Sequence, residues 1–521
     1  MVHNVQIEQI IPQVSRLRSI ASQVIASLSS NFLLLDIGMA VNFTTIALPV
    51  LLNAPDGLSL NDIQASWFGS LLFLTQPFGA VLSGPIVDYF GRRLANFLVN
   101  LPHLIAWILM YFAWNIPTLF IATALLGIGT GIMEAPITAY VGEISEPSVR
   151  GALCTFTQLF LSLGTFIMFF IGAVVDWRHA ALISIAVPLS AMALVIFVPE
   201  TPVWLLSRGR EKEALNSLCK IRGWTTPDNV RKEFDQIVEH NKKLQNCVIC
   251  YKLYNLDTQT CEHFTMNPIR RSLYKFRHVI ITKETLRPLI FIIIYFLFYI
   301  MSGVTPLKPN LVNICGAFGM AQDGKEIIIY FGIISIIASI FIIVTIRKVG
   351  KRKMAMISML GTAISSTALS VYARNNLSDS VFSYDTTTFP KEQSYVPLIL
   401  FYLMAFFSGT NLPWILVGEV FPFRSRASAQ CISVACFYVF TFIGTKTLLD
   451  LETHIRLWGT FAVYAAFGFL GTIFLYFFLP ETEGMILEDI EVFFNSDKIQ
   501  TFANDPVINK LKRLTRRNHS K

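Results

Sequence analysis

The chain is short of charge. Asp, Glu, Lys and Arg make up 15% of its 521 residues, and 53% are hydrophobic, whereas a soluble protein carries about a quarter charged residues. Too little polar surface is present to cover a water-soluble fold of this size. Cysteine is also sparse, eight in all, without the spacing of a secreted disulfide framework. No GxxxxGK[ST] segment is present, which removes the phosphate-cradling loop of an ATP-driven pump. The N-terminus lacks a short apolar core followed by a small-residue cleavage site, so no cleavable signal peptide is expected.

What is abundant is apolar sequence in long runs. A span needs roughly 20 mostly apolar residues, and twelve such runs lie between about residue 24 and residue 479. The net charge is +8, but the basic residues fall in loops of one parity: Arg92 and Arg93, Arg150, the 200–285 segment, Arg347 to Lys353, Arg424, Arg426 and the tail. That asymmetry speaks for a lipid bilayer rather than nucleic acid, and it places both termini in the cytoplasm. The expectation is an all-α, multi-pass membrane protein. Its parts are a lead at 1–20, a first bundle at 21–199, a hydrophilic helical insertion at 200–285, a second bundle at 286–480 and a tail at 481–521. Asn376-Leu-Ser378 then forms a glycosylation sequon on the outer face.

The markers occur twice, in the same order. Gly84-Pro-Ile-Val-Asp-Tyr-Phe-Gly-Arg-Arg93 has a weaker copy in Arg347-Lys-Val-Gly-Lys-Arg352. Val141-Gly-Glu143 with Arg150 is echoed by Val417-Gly-Glu419 with Arg424 and Arg426, and Pro199-Glu-Thr-Pro202 by Pro480-Glu-Thr-Glu-Gly484. Such duplication within apolar sequence is a transporter signature. In the first copy Asp88 is placed to cap a helix end, and Gly91 allows a tight reversal.

Single polar residues inside the spans need an account. Asp36 sits in Leu33-Leu-Leu-Asp-Ile-Gly38, where an acid costs about 2.5–3.5 kcal/mol on insertion scales. It should face a cavity or a partner, and an acid near the helix end or hydrogen-bonded to a neighbour is the expectation ahead of a proton site. Glu134 beside Pro136 is the better acid for a cavity, and these two would be the residues to couple protons. Gln158 is central in its span. Gly127-Ile-Gly-Thr-Gly131 permits close helix packing. Ser302-Gly-Val-Thr-Pro-Leu-Lys-Pro309 should break its helix. Asn61 and Asp62 should cap the helix that follows. In the insertion, Cys247-Val-Ile-Cys250 with Cys261 and His263 has zinc-type donors, but its second pair is a cramped C-x-H. Reduced thiols are expected there, and no metal or other cofactor.

These motifs resemble the sugar-porter branch of the major facilitator superfamily from about residue 30 to 490. Ala65-Ser-Trp-Phe-Gly69, Met133-Glu-Ala-Pro136, Tyr140-Val-Gly-Glu143 and Thr445-Lys-Thr447 are similar to the insect facilitated trehalose transporter-like proteins. The resemblance implies two pseudo-symmetric six-helix bundles around a central solute site, alternating access, and no enzyme activity. It implies sugar, trehalose or a hexose, as the small-molecule partner, and residence in the plasma membrane. It also implies inner-gate ion pairs among Asp88, Arg92, Arg93, Glu143, Arg150 and Glu200, and among Arg352, Glu419 and Arg426, with Glu419 holding Arg352 and Arg426. Half-exposed pairs contribute about 1 kcal/mol or less each, weak enough to rupture in a transport cycle.

The departures are informative. The arginine that the resemblance calls for in span four is Thr123, and the acid before Gly350 is Arg347. The amide-rich QQLSGIN of span seven reads Tyr299-Ile-Met-Ser-Gly-Val-Thr305. Ser335 and Phe437 stand in the places of asparagines. Gln158, Tyr299, Thr305, Ser335 and Trp414 are left to bind solute, in a site less polar and more aromatic than a standard sugar site. Facilitated diffusion is expected, with a less hydroxylated solute or a non-transporting receptor as alternatives.

Overall fold

The structure is a computed structural model that describes residues 16–55, 57–245, 282–320, 324–377, 394–410, 412–421 and 425–482. Among these residues the regular secondary structure is all helical, apart from two isolated bridges, Leu52 with Leu60 and Met320 with Ser394. The chain divides into two compact units, residues 1–278 and 279–521.

The first unit contains α1 (Arg16–Asn31), α2 (Leu33–Leu51), α3 (Asp62–Phe90), α4 (Arg92–Leu98), α5 (Asn100–Tyr111), α6 (Ile116–Ile144), α7 (Pro147–Val174), α8 (Trp177–Ser184) and α9 (Ala186–Ile196). The insertion adds α10 (Pro202–Ser207), α11 (Glu211–Ile221) and α12 (Pro227–Gln245). In the second unit are α13 (Lys283–Met301), α14 (Val304–Leu307), α15 (Leu311–Ala317), α16 (Gly324–Val349) and α17 (Lys351–Asn376). After these come α18 (Val396–Gly409), α19 (Pro413–Val417) and α20 (Arg426–Phe478).

Eleven helical stretches of the described residues are long and apolar enough to cross a membrane. The last, Ser428–Phe478, is 51 residues long and reverses at Arg456, whose φ of 63° is left-handed. It therefore covers two of the twelve expected runs. The expected break in span seven is present. After Met301 the chain passes through Gly303 at φ 107°, then a short helix, and a 3-10 turn at Lys308–Asn310. Asn61 caps α3 reciprocally with Gln64, as its position before the apolar run suggests.

Helix begins at Arg16, inside the lead expected at 1–20. Polar contacts hold this extra turn, since Ser19 and Gln23 donate to Glu146 (3.0 and 2.8 Å) and Ser22 to the Lys220 carbonyl (2.8 Å).

Small residues bring α3 and α6 into backbone contact. A Cβ on Gly79 would lie 2.1 Å from the Ile128 carbonyl oxygen, and one on Gly131 2.1 Å from that of Gln76. The opposite side of α3 is apolar and open: Phe78 and Val81 are each 65% exposed. In water such a face would be a liability, but in hydrocarbon it is the expected exterior.

Because the neighbour of Gly131 is backbone rather than a flexible side chain, Gly131→Val cannot be relieved by a rotamer change. This variant should lose about 3 kcal/mol or more of stability, read as a lower melting temperature and less monodisperse protein than wild type after detergent extraction.

Candidate functional site

Each unit holds a charge cluster built on a glycine turn. In the first, α3 ends and α4 begins at Gly91, with φ 88° and ψ 170°, a conformation open essentially to glycine alone. The freed N-terminal amides of α4 point at Glu200. Its carboxylate accepts from the backbone N–H of Arg92 (3.0 Å), Arg93 (3.1 Å) and Thr201 (2.9 Å). A Cβ on Gly91 would sit 2.5 Å from that carboxylate, so glycine is required for space as well as for φ. An anion here is favoured by the unpaired amides and by the helix dipole.

Glu143 approaches from the end of α6. It accepts from Arg92 Nε (2.8 Å), lies 2.7 Å from Arg92 Nη2, and accepts from Thr201 Oγ1 (2.6 Å). The two charged side chains retain 16% and 19% of their exposure. This pair is thus more buried than the half-exposed pairs expected, and its rupture costs more than about 1 kcal/mol. Burial raises the pKa of Glu143, and the Arg92 charge and the Thr201 hydrogen bond oppose that shift. Burial raises Glu200 too, against the three backbone N–H donors. As pH falls, both carboxylates take up protons before an exposed glutamate does, and the cluster loses its anions first.

Asp88 and Arg93 take lesser parts. Asp88 is 83% exposed and 4.0 Å from Arg92. The Arg93 guanidinium donates to the carbonyls of Ile196 and Val195 at the end of α9, where a cation is favoured.

The second unit repeats the arrangement. Gly350, at φ 89°, precedes α17, and Glu481 accepts from the backbone N–H of Lys351 (2.9 Å) and Arg352 (3.3 Å). A Cβ on Gly350 would lie 2.5 Å from the Glu481 carboxylate. Lys351 Nζ donates to both oxygens of Glu419 (2.7 and 2.8 Å), and Thr482 approaches the same carboxylate at 3.5 Å. One expectation needs correction. Glu419 is held by Lys351 rather than by Arg352, whose guanidinium donates to the Tyr476 carbonyl and so occupies the place of Arg93. The reason is register: Lys351 is the first residue after the glycine, as Arg92 is in the first half. Sequence reading also missed Glu481, Thr201 and Thr482. The signal was present in the repeated Pro-Glu-Thr, whose acid and threonine perform the same tasks in both halves.

The insertion is tied to the first unit by Arg222, which sequence reading did not single out. It donates to Glu233 (2.6 Å) and to the Ile144 carbonyl (2.9 Å), and lies 3.3 Å from Glu146. The side chains of Glu134, Arg150, Arg347 and Arg426 lie outside the described residues, as do Cys247, Cys250, Cys261 and His263. Among the described residues no group of His, Cys, Asp and Glu could hold a metal. Asn376 is exposed at the end of α17.

Asp36 has the partner its burial demands. It accepts from Trp107 Nε1 (2.8 Å) and lies 2.6 Å from His103 Nδ1, with both side chains of the Asp36–His103 pair fully buried. His103 in turn fits against Gly129, where a Cβ would meet its ring at 2.2 Å.

Of the residues expected to bind solute, Gln158 is half-buried on α7, and no described residue hydrogen-bonds its amide. The others belong to the second unit. Tyr299 is in hydrogen-bonding contact with Ser408 and Thr305. Trp414 meets Phe296 and Phe437 edge-on, with centroids 5.3 and 4.8 Å apart. Ser335 turns its hydroxyl onto its own helix, donating to the Phe331 carbonyl (2.9 Å). Among the described residues, Phe296, Tyr299, Trp414 and Phe437 thus form a mostly aromatic wall.

A family model described as "Sugar (and other) transporter" matches residues 24–494. The chain belongs to that family. It is 28% identical over 478 residues to the facilitated trehalose transporter Tret1 of Polypedilum vanderplanki, covering 91% of this chain and 88% of that protein. To Tret1 of Aedes aegypti it is 27% identical over 479 residues, and there it spans 55% of the relative's length. Among solved structures, the inward open xylose transporter XylE from E. coli superposes with a TM-score of 0.67 at 18% identity, over 91% of this chain and 99% of that one. This sugar transporter family member therefore has the major facilitator fold.

The two clusters predict a specific coupling pattern. In a double-mutant cycle on thermal stability, Lys351→Ala and Glu419→Ala should couple by about 1 kcal/mol or more, whereas Arg352→Ala and Glu419→Ala should add within about 0.5 kcal/mol.

Proposed function

We propose that the chain carries a sugar across a membrane by alternating access, as facilitated diffusion and without enzymatic chemistry. The observation that carries this reading is the duplicated cluster: a carboxylate seated over a glycine turn, and a second carboxylate held by the first cation after it, in each half of a sugar transporter family member. Such elements lock one state when assembled and release it when broken. Uncoupled transport is supported by Asp36, whose carboxylate is already engaged with Trp107 and His103. The loop-charge asymmetry favours cytoplasmic termini and a plasma-membrane setting with Asn376 outside.

The relatives named for trehalose favour that disaccharide or a hexose as substrate. The aromatic wall at Trp414, Phe296 and Phe437 favours low affinity, because each hydrogen bond not made to a hydroxyl forgoes about 1 kcal/mol. It also supports the second reading, a less hydroxylated solute.

Uptake of labelled trehalose, glucose and a panel of non-sugars into vesicles carrying the purified protein tests the proposal. Saturable, low-affinity sugar uptake is expected, unaffected by a protonophore. Gln158→Ala should abolish the saturable component, and Trp414→Ala should weaken affinity by about tenfold, with membrane insertion intact. Uptake of no sugar would overturn the sugar reading, and a high-affinity non-sugar flux would establish the second.

A further inference from the structure

The first unit contains a cavity of about 760 Å³ away from the residues expected to bind solute. This is within the range of small-molecule sites, about 300–1,000 Å³. One wall is made where three candidate spans end. Phe90 is the last residue of one, Leu94 and Phe97 lie just inside the next, and Ile196 is the last residue of the third. The other wall belongs to the insertion, through Trp204, Arg210, Asn216 and Lys220. The cavity therefore sits at the boundary of the membrane-crossing helices, apolar on one side and polar on the other. Its apolar rim continues onto exposed surface, with Leu94 45% and Ile196 55% exposed.

Its charge is uneven. Glu213 is held by Arg210 (2.7 Å), and Glu200 faces the backbone amides of α4. Arg93 rests on carbonyls rather than on a carboxylate, and the Lys220 ammonium has no acid partner among the described residues. The lining therefore carries three cations, Arg93, Arg210 and Lys220, against two carboxylates, Glu200 and Glu213, and one positive charge is left over to face the space.

We propose that this cavity binds one anionic glycerophospholipid from the leaflet at this face. The headgroup phosphate meets Lys220 and Arg93, and the acyl chains run along Leu94, Phe97 and Ile196. Cations at a membrane surface gain about 1 kcal/mol each from anionic lipid, and the apolar wall gives the chains a place that a free anion would not use. A lipid there bridges the transmembrane helices and the insertion.

Native mass spectrometry of the full chain in detergent tests this with phosphatidylserine and phosphatidylcholine of identical acyl chains. One phosphatidylserine should be retained at about tenfold lower lipid concentration than phosphatidylcholine. Lys220→Glu, which reverses the charge, and Asn216→Trp, which fills the cavity from an exposed position, should each weaken that retention about tenfold. Millimolar inorganic phosphate should not displace the lipid. Equal retention of the two lipids would overturn the proposal, as would wild-type retention in both variants. Displacement by phosphate would reduce the cavity to a simple anion site and overturn it as well.

Discussion

A carboxylate placed over the N-terminal amides of a helix, across a glycine in a conformation closed to other residues, is the constraint on which both halves depend. Glu200 and Glu481 come from the ends of their bundles and fasten onto turns more than a hundred residues earlier. Each contact joins the start of one helix to the chain leaving the last one. A helix cap of this type is worth about 0.5–2 kcal/mol, modest for a fold of this size. Its importance lies in position, since it fixes the residue after the glycine, and that residue holds the second acid. Arg92 reaches Glu143 and Lys351 reaches Glu419 because the turn fixes their direction. Thr201 and Thr482 then bond the acids whose neighbours they follow.

The fold was legible because its signals are strong and local. Apolar length marks the spans, Gly127 to Gly131 marks close packing, and Ser302 to Pro309 marks the break in span seven. The first-half cluster was also legible, since arginine and glutamate are unusual at the ends of such runs. The second-half pair was misread because arginine drew attention to Arg352 when register pointed to Lys351. Glu481 was overlooked for the same reason, although its Pro-Glu-Thr context matches that of Glu200. Arg222 was hidden differently: in a charged amphipathic segment one more arginine carries no signal, and its burial against Glu146 and Glu233 is a tertiary fact.

The second-unit wall shows how far composition can shift within a shared fold. Trp414 has Phe296 and Phe437 as ring partners, and Ser335 satisfies its own backbone instead of facing outward. Tyr299 and Thr305 retain hydroxyls but bond within the protein. A wall of this kind offers dispersion and stacking contacts more readily than hydrogen bonds. In the first unit, the Gln158 amide has no hydrogen-bond partner among the described residues.

Hydrogen–deuterium exchange tests the capping claim most directly, because the protected amides can be named. In the wild type, peptides covering the starts of α4 and α17 should exchange slowly. Glu200→Ala should speed exchange at Arg92, Arg93 and Thr201 and leave the α17 turn unchanged, whereas Glu481→Ala should speed exchange at Lys351 and Arg352 and leave the α4 turn unchanged. Unchanged protection at both turns in these variants would contradict the account.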